Sequence, residues 1–307
     1  SVIRPGWTGA QVIFNFGQYC AKDLGYKKII IVGQDYSYPW DQAAGFIRGF
    51  LENGGEKVER IWHPVEAVDF SSIMAKLMSM SKEYDAVMNN SGGAQVIGFF
   101  KQWKQFGLDK VYPQILGQAN VPIVSMLSEL GDSALGVYSS LHYYDGNPSE
   151  ANKKFRDSFK REYGHYPDVI AVQGYDAVLV AFKAMKAING QVDDPKKFIA
   201  ALRQVKMSAE ESPRGPFYFD KFANPVQNIY IKKVVKKDGL LMNEAVKTYT
   251  DVSQFGPYAD MADKYMAAPA TTRDYPPGDK AAYFMEIEKY FGKDYVEKIK
   301  KNNGWVD

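Results

Sequence analysis

The hydrophobic and polar positions of the first 120 residues alternate between two periodicities. A continuous apolar run, "KKIIIV" at residues 27–32, is typical of a parallel strand that is covered on both faces. Segments with the helical spacing of apolar residues flank it, at residues 10–24 and 41–53. The same alternation continues through "KVERIWHPV", "DFSSIMAKLMSM", "YDAVMNN", "GGAQVIGFFKQWKQFG" and "YPQILGQ". This order predicts right-handed βαβ crossovers and a doubly wound α/β sheet.

The second half of the chain predicts fewer strands among longer helices. Strands are predicted for "ALGVYSSLHYY", "GPFYFD" and "NIYIKKVVKKDG", and helices for residues 148–163, 170–188 and 195–204. The last 50 or so residues are rich in proline and glycine, as in "GPYADMADKYMAAPATTRDYPPGD". We expect this tail to wrap over the surface and to end in a single helix over residues 279–301.

Composition and charge are those of an ordinary globular protein. The 307 residues are enough for two domains, and 46% of them are hydrophobic and 24% charged. Lysine and arginine total 38 against 36 acidic residues, so the net charge is +2. This balance gives no support for binding to nucleic acid or to an anionic membrane surface. No apolar run approaches the roughly 20 residues that a membrane-inserted helix requires.

The cysteine count and the first residues bear on the cellular compartment. The single cysteine, Cys20, lies among apolar residues of a predicted helix, which indicates a buried, unreactive thiol and excludes an intramolecular disulfide. Low cysteine usage fits the cytosol and a bacterial periplasmic protein equally well. The chain starts with "SVIRPGWTGAQ" and shows no secretory signal, which we interpret as a processed or truncated terminus.

Sequence motifs for catalysis or metal binding are missing. His63, His142 and His165 lie far apart, and none stands in an HExxH or related metal spacing, so core or surface positions explain them better. No GxSxG motif gives a serine a nucleophilic context. The glycine-rich turn "NNSGGAQ" at residues 89–95 lacks the lysine of a phosphate-binding loop. We therefore expect no catalytic residue, no metal ligand and no cofactor.

The candidate ligand-binding residues lie in three loops at the carboxyl ends of predicted parallel strands. The loops are "GQDYSYPW", "NNSGGAQ" and "GQANVP", and doubly wound folds bind their ligands at such loops. Aromatic rings, amides, a hydroxyl and glycine N–H groups suit a small, partly apolar organic molecule. Taken singly, Tyr36 or Trp40 is better explained as covering the sheet edge or packing beneath the helix. Taken together, the three loops favour a binding cleft.

The order and spacing of these segments resemble the type I periplasmic solute-binding proteins, the Leu/Ile/Val-binding class that serves ABC importers. The resemblance runs from "LGYKKIIIVGQDYSYPWDQAAGFIRGFLENGGEKV" through "YDAVMNNSGGAQVIGFFKQWKQFGL" and "QILGQANV" to "SPRGPFYFDKFANPVQNIYIKKVVKKDG". It covers about residues 1–255 and implies two doubly wound α/β lobes with an interlobe cleft. By resemblance the chain divides into a first hinge crossover (1–9), lobe two (10–137 plus 226–255), a second crossover with the C-terminal part of lobe one (138–225), and a wrapping tail with a terminal helix (256–307).

The resemblance also predicts an incomplete lobe one. The strands and helices that open this lobe in the family have no counterpart in the sequence, so the helices within residues 148–188 are expected to expose apolar surface. We interpret the chain as a fragment, or as one whose leading segment was cleaved or left out. On that interpretation the chain alone is expected to bind solute weakly.

Ligand-contacting residues follow from the same resemblance. Tyr38 stands at the position of the family's loop tyrosine, and the turn Asn90, Ser91 and Gly92 falls on the next ligand-contacting loop. We expect hydrogen bonds to the ligand from this turn and from its Gly92 amide. The aromatic loop favours a planar ligand that stacks on rings, with Tyr36 or Trp40 as a further stacking candidate.

The third loop bears on the class of ligand. Amino-acid-binding members of the family carry an acidic residue there, which pairs with the ligand's ammonium group. Ala119 occupies that position in this chain, next to Gln118, a further candidate for hydrogen bonding. A buried ammonium without a carboxylate partner is costly, so a neutral or carboxylate solute is favoured over an α-amino acid. Trp7, in the first crossover, is either a wall of the cleft or part of the hinge packing.

The predicted function is a non-enzymatic, extracytoplasmic solute-binding subunit of an ABC importer. It would bind an aromatic or other organic acid, or an amino-acid-like solute, and close about a hinge. The expected partner is the membrane permease, and the expected location is the periplasm or the cell exterior, with a lipid anchor before Ser1 left open. The alternative is a ligand-sensing regulatory or receptor domain of the same fold, and an enzyme ranks third.

Overall fold

The computed structural model describes residues 2–305. The α-helices in this range are α1 (Phe14–Lys22), α2 (Ser37–Leu51), α3 (Ser71–Met80), α4 (Ala94–Gln105), α5 (Val124–Leu130), α6 (Glu150–Tyr163), α7 (Val169–Ala187), α8 (Pro195–Arg203), α9 (Ala262–Ala267), α10 (Lys280–Phe291) and α11 (Lys293–Asn302). The strands are β1 (Lys28–Gln34), β2 (Lys57–His63), β3 (Ala86–Asn90), β4 (Ile115–Gly117), β5 (Tyr138–Leu141), β6 (Lys206–Met207), β7 (Phe217–Phe219), β8 (Pro225–Lys237) and β9 (Leu240–Val252).

All nine of these strands belong to one mixed sheet. Strands β2, β1, β3, β4 and β5 lie side by side in that order and run parallel. The antiparallel strand β8 joins β5 to β7 and β6, and it also pairs with β9. The α/β class with doubly wound parallel strands is therefore confirmed, whereas the division into two lobes stays a prediction.

The apolar run that opens the sheet is buried on both of its faces. Ile29 and Ile31 belong to one hydrophobic cluster, with helices α1 and α2, and Ile30 and Val32 to a second, with helices α3 and α4. Side chains alternate across a strand, so a strand covered on both sides must be apolar at consecutive positions. The interpretation of "KKIIIV" as a central parallel strand is confirmed.

The aromatic segment after β1 is the first turn of a helix and not a loop. The predicted helix over residues 41–53 in fact begins at Ser37, after the extended residue Tyr36. Pro39 is compatible with this first turn because the N–H groups there have no intrahelical partner. Tyr38 and Trp40 are therefore held on a helix, which fixes their directions more firmly than a loop would.

Several other boundaries differ from the sequence-based predictions. The first helix begins at Phe14 instead of residue 10, and the strand predicted over "ALGVYSSLHYY" is limited to β5. The single helix predicted over residues 279–301 is divided into α10 and α11 at Gly292, whose φ of 88° only glycine adopts readily. Strand β9 and the short helix α5 were not predicted. The predicted burial of Cys20 is confirmed.

The tail after residue 255 packs into the core and does not merely wrap over the surface. Tyr258, Tyr283, Ile287 and Phe291 are buried in the same hydrophobic cluster as α1 and α2. Tyrosines place an apolar ring in the core while their hydroxyls find polar partners, here the carboxylate of Glu52, which directly follows α2. Proline and glycine content alone gave no sign of this burial.

Helix α7 leaves one apolar face in solvent, as expected. Ile170, Val178 and Phe182 are 59%, 54% and 61% exposed, and they follow one another at intervals of eight and four residues. Residues at such intervals share one side of a helix. A helix with this pattern normally covers a hydrophobic neighbour.

Candidate functional site

The three loops of the candidate site lie together at the carboxyl edge of the parallel strands. Strand β1 has β2 on one side and β3 on the other, so the direction of winding reverses between β1 and β3. Open α/β sheets bind ligands in the crevice at this reversal. Strand β1 ends at Gln34 and β3 at Asn90, and β4 follows on the far side of β3.

A cavity of about 290 Å³ occupies this crevice. Its volume is near the lower end of the range for small-molecule sites, which is about 300–1,000 Å³. Six of the residues predicted as ligand contacts line it: Tyr36, Tyr38, Asn90, Ser91, Gly92 and Gln118. The structure thus brings together side chains that lie more than 80 positions apart in the sequence.

Tyr38 is fixed in place by two donors. Its hydroxyl accepts hydrogen bonds from Trp7 Nε1 at 2.9 Å and from Gln42 Nε2 at 3.1 Å. Burial raises the pKa of Tyr38 to about 12, so the phenol is neutral at physiological pH. Trp7 does not line the cavity; its ring packs 4.8 Å from that of His142, and it reaches the site through Tyr38.

Ser91 and Gly92 are tied to the neighbouring strands. Ser91 Oγ lies 2.8 Å from His63 Nε2, at the end of β2. The Gly92 amide donates to Gln34 Oε1 at 2.9 Å, and Gln34 Nε2 donates to the carbonyl of Val65 at 3.0 Å. The Gly92 N–H is therefore already engaged within the protein.

Gln118 links the second and third loops. Its Nε2 donates to the Ser91 carbonyl at 3.0 Å, and its Oε1 accepts from the Asn120 amide at 2.8 Å. Ala119 lies away from the cavity, fully buried in a hydrophobic cluster with Val12 and Leu141. The third loop therefore faces the cavity with Gln118 and Asn120, on either side of the alanine.

The remaining aromatic residues of the segment after β1 differ in position. Tyr36 lines the cavity with 39% of its surface exposed, as a residue at the rim does. Trp40 does not line it and instead donates from Nε1 to Asp35 Oδ1 at 3.0 Å. This hydrogen bond ties Trp40, in the first turn of α2, to the residue that follows β1.

Sequence reasoning missed several residues of the cavity wall. These are Gln34, Gln42, Asn120, Ile123, Met126 and Ile170. Gln42 could have been found from its helical spacing, four residues after Tyr38. Ile123 and Met126 belong to the start of the unpredicted helix α5, and Ile170 to the first turn of α7, so their approach depends on tertiary structure.

The cavity wall carries no formal charge among residues 2–305. It consists of amides, hydroxyls, glycines, Pro39 and apolar side chains. Such a wall offers neither a carboxylate to an ammonium group nor a guanidinium or ammonium to a carboxylate. It suits a neutral portion of a ligand.

A larger cavity of about 750 Å³ lies elsewhere, between α1, strand β9 and α11. Lys22, Lys298 and Asp251 line it. Glu52 also lines it, and its carboxylate accepts hydrogen bonds from three tyrosine hydroxyls. This groove is wide and lies away from the carboxyl edge of the sheet. The smaller cavity, by contrast, lies where doubly wound folds have their ligand crevice, which makes it the candidate solute site.

Two further observations concern metal ions and membranes. No group of three or more histidine, cysteine or acidic side chains in residues 2–305 is arranged to hold a metal ion. Over the same range, none of the helices combines the length and the hydropathy that crossing a bilayer requires.

Residues 1–239 match the family model described as "Periplasmic binding protein". The chain belongs to this family. A Leu/Ile/Val-binding protein homolog of Brucella melitensis is 32% identical over 252 residues, which are 81% of this chain and 63% of that relative. The chain thus spans less than two thirds of the length of this relative. The resemblance stated from the sequence is confirmed.

Solved structures of solute-binding proteins resemble this chain in fold and sequence. A solute-binding protein of an ABC transporter from Rhodopseudomonas palustris, in complex with 3,4-dihydroxybenzoic acid, is 35% identical with a TM-score of 0.75. The alignment covers 82% of this chain and 68% of that one. A second protein from R. palustris, in complex with 4-hydroxybenzoate, is 28% identical with a TM-score of 0.73, over 82% of this chain and 68% of that one.

Proposed function

We propose that this chain belongs to the extracytoplasmic solute-binding subunit of an ABC importer and binds a hydroxylated aromatic acid. The observation that carries the proposal is the uncharged cavity, lined by tyrosines and amides, at the reversal point of the sheet. The relatives from R. palustris, which bind 3,4-dihydroxybenzoic acid and 4-hydroxybenzoate, support this ligand class. A flat ring with one polar end fits the small cavity and its aromatic rim.

The cavity favours such a solute over an α-amino acid. An ammonium group buried here would find no carboxylate in the described part of the wall, and leaving a charge unpaired costs several kcal/mol. Ala119, at the place where the family resemblance predicts an acidic residue in amino-acid binders, supplies no charge. We propose that the solute's own carboxylate is held outside this wall.

The residue roles within the site are part of the proposal. Tyr38 and Tyr36 would contact the aromatic ring, while Asn90 and Ser91 would meet the polar substituent. Trp7 would hold Tyr38 in position through its hydrogen bond.

The Gly92 amide and the Gln118 side chain would support the site without contacting the ligand. Because the Gly92 N–H donates to Gln34 and Gln118 Nε2 donates to the Ser91 carbonyl, we assign these two residues to shaping the loops. We propose this role in place of the direct ligand contact expected from the sequence, which no observation tests.

The wider setting follows from the family. We propose that the solute closes two lobes about the crossover segments near residues 1–9 and 138–147, and that the closed form is recognised by a membrane permease. The periplasm is the corresponding location. The boundaries of the lobes, with residues 10–137 plus 226–255 in lobe two, belong to the same proposal.

Replacing Tyr38 by alanine is expected to weaken binding of 4-hydroxybenzoate at least ten-fold. The variant loses a ring contact and the hydroxyl that Trp7 and Gln42 share, which corresponds to about 1.4 kcal/mol or more. Saturation-transfer NMR titration detects weak binding, and benzoate, 3,4-dihydroxybenzoate and leucine complete the panel. Tyr218, exposed on β7 and remote in sequence from the site, provides a matched tyrosine-to-alanine control.

The panel can also contradict the proposal. Leucine binding more tightly than every aromatic acid, or the Tyr38→Ala variant binding 4-hydroxybenzoate as well as the wild type, would each be incompatible with it.

A further inference from the structure

We propose that His63, which does not line the cavity, fixes the Ser91 hydroxyl as a hydrogen-bond acceptor and thereby selects solutes that present a hydroxyl group to this wall. The proposal rests on the proposed function and deepens it, since it names the part of the solute that the loops of β2 and β3 recognise. His63 is a positioning residue because it acts through Ser91.

The tautomer of His63 follows from its two partners. Nδ1 lies 2.8 Å from the Pro64 carbonyl oxygen, which can only accept, so Nδ1 carries the proton. His63 is buried against the ring of Phe70, at 5.1 Å, and burial lowers the pKa of His63, so the imidazole is neutral near pH 7. Nε2 then holds a lone pair and accepts from Ser91 Oγ at 2.8 Å.

This arrangement uses the only proton of the serine hydroxyl. An unrestrained serine rotates its O–H to donate or to accept, and it discriminates little between ligand groups. With its proton committed to His63, Ser91 Oγ can offer only lone pairs to the cavity that it lines.

The neighbouring amides present acceptors as well. Asn90 Nδ2 donates to the Pro39 carbonyl at 2.8 Å, which fixes the orientation of the amide. Asn90 Oδ1 is buried and has no partner within residues 2–305. Gln42 donates from Nε2 to Tyr38, and its Oε1 is likewise without a partner in that range. Buried acceptors without a donor are costly, so a ligand that donates to them gains affinity.

Several donors beside Ser91 and Asn90 are engaged within the protein. The Gly92 amide and one N–H of each side-chain amide of Gln34 and Gln118 bond within the protein. A carboxylate placed against Ser91 Oγ and Asn90 Oδ1 would meet oxygen lone pairs, whereas a phenolic hydroxyl would supply the donor that these two atoms need. We infer that a hydroxybenzoate lies with its hydroxyl toward Ser91 and Asn90 and its carboxylate away from them.

The first test is the ratio of affinities for 4-hydroxybenzoate and benzoate. His63→Phe keeps a ring in the site but removes the acceptor, so the Ser91 proton is released and the ratio is expected to fall about ten-fold. Ser91→Ala, a smaller change with less effect on folding, is expected to lower the ratio similarly. His63→Gln can donate to the Pro64 carbonyl and accept from Ser91, and it should retain most of the preference.

A purely structural role for His63 would give a different result. The His63→Phe variant would then bind both acids more weakly by the same factor and leave the ratio unchanged, which would overturn the proposal. An unchanged ratio in Ser91→Ala would do the same.

The tautomer is tested without any solute. The protein has three histidines, so ¹⁵N-resolved NMR of the ring nitrogens can assign each of them. We expect His63 to show a protonated Nδ1 and an unprotonated Nε2 at pH 7, and the opposite tautomer would overturn the proposal. If the expected tautomer is found but no aromatic acid binds the wild-type chain, the proposed function fails, and with it the selection assigned to Ser91.

Discussion

Replacing Glu52 by alanine is expected to lower the free energy of unfolding by about 3–5 kcal/mol. Its carboxylate accepts hydrogen bonds from the hydroxyls of Tyr258, Tyr283 and Tyr295, all from the tail. The first two tyrosines are completely buried, so without Glu52 their hydroxyls keep only each other, at 3.2 Å, and one of the two O–H donors stays unpaired in the core. Denaturant-induced unfolding measured by circular dichroism gives the change directly.

The control variants separate the effect of losing the hydrogen-bond acceptor of Glu52 from the effect of losing its negative charge. Burial raises the pKa of the Glu52 carboxyl, so the negative charge itself is unfavourable there. Glu52→Gln keeps one acceptor oxygen and is expected to lose less than half as much stability as Glu52→Ala. The exposed Glu150→Ala variant is expected to change stability by less than about 0.5 kcal/mol. A loss below about 1 kcal/mol for Glu52→Ala would show that the tail does not depend on this cluster.

Arg48 adds a second attachment between α2 and the tail. Its buried guanidinium lies 5.8, 5.3 and 5.9 Å from the ring centroids of Tyr258, Tyr265 and Tyr275. Cation–π contacts are stronger when the cation is shielded from water. Together, Arg48 and Glu52 explain why a proline-rich segment becomes part of the core.

Replacing Arg214 by methionine is expected to destabilise the protein by about 3–5 kcal/mol at pH 8. Arg214 Nε forms a buried ion pair with Asp176 Oδ2 at 3.0 Å, and Nη1 donates to Gln227 at 2.9 Å. These contacts link α7 to the sheet through the segment before β7. Methionine fills much of the volume but leaves the Asp176 carboxylate buried without a counter-charge.

The pH dependence of this variant has a definite sign. Burial raises the pKa of Asp176 to about 6 even beside Arg214, whose own pKa burial lowers to about 10. A carboxyl whose pKa is higher in the folded state binds more protons there, so its contribution to stability is lost as the pH rises through that value. Without Arg214 the pKa of Asp176 rises further. The difference in the free energy of unfolding between the wild type and the variant is therefore expected to grow between pH 5 and pH 8.

A second substitution provides the control for Arg214. Asp176→Asn removes the charge but keeps an acceptor for Ser212 Oγ, which lies 3.0 Å from the carboxylate in the native protein, so the double variant is expected to recover most of the lost stability. Thermal unfolding of the four proteins at pH 5 and pH 8 completes the cycle. If Arg214→Met lost the same stability relative to the wild type at both pH values, the destabilisation would come from packing alone.

The parallel half of the fold could be predicted from the sequence because each strand there is buried on both faces. "KKIIIV" and "YDAVMNN" stand out from the helices around them as short, nearly continuous apolar runs. Strand β9 was missed because "LLMNEAVKTYTDV" carries charged and polar residues and has little buried surface. The tail was misjudged because Tyr258 and Glu52 meet across 206 positions, a pairing that no local pattern reveals.

The candidate site could be predicted only in part, for a related reason. The location of Tyr38, Asn90 and Ser91 just after predicted parallel strands was enough to indicate that they lie together. The role of His63 depends on β2 lying beside β1, with His63 opposite Gln34. The hydrophobic pattern of the strands does not predict their order in the sheet. The sequence likewise gave no reason for Ile170 of α7 to reach the cavity.

The location of the solute site can be tested by ¹³C-methyl NMR during a titration with 4-hydroxybenzoate. Ile123 lines the proposed cavity, whereas Ile299 lines the larger groove beside α11. The two isoleucines report on the two cavities within one sample. We expect the Ile123 methyl resonance to shift in a saturable manner while that of Ile299 stays unchanged. A shift of Ile299 without Ile123, or of neither, would contradict a solute site at the carboxyl edge of the sheet.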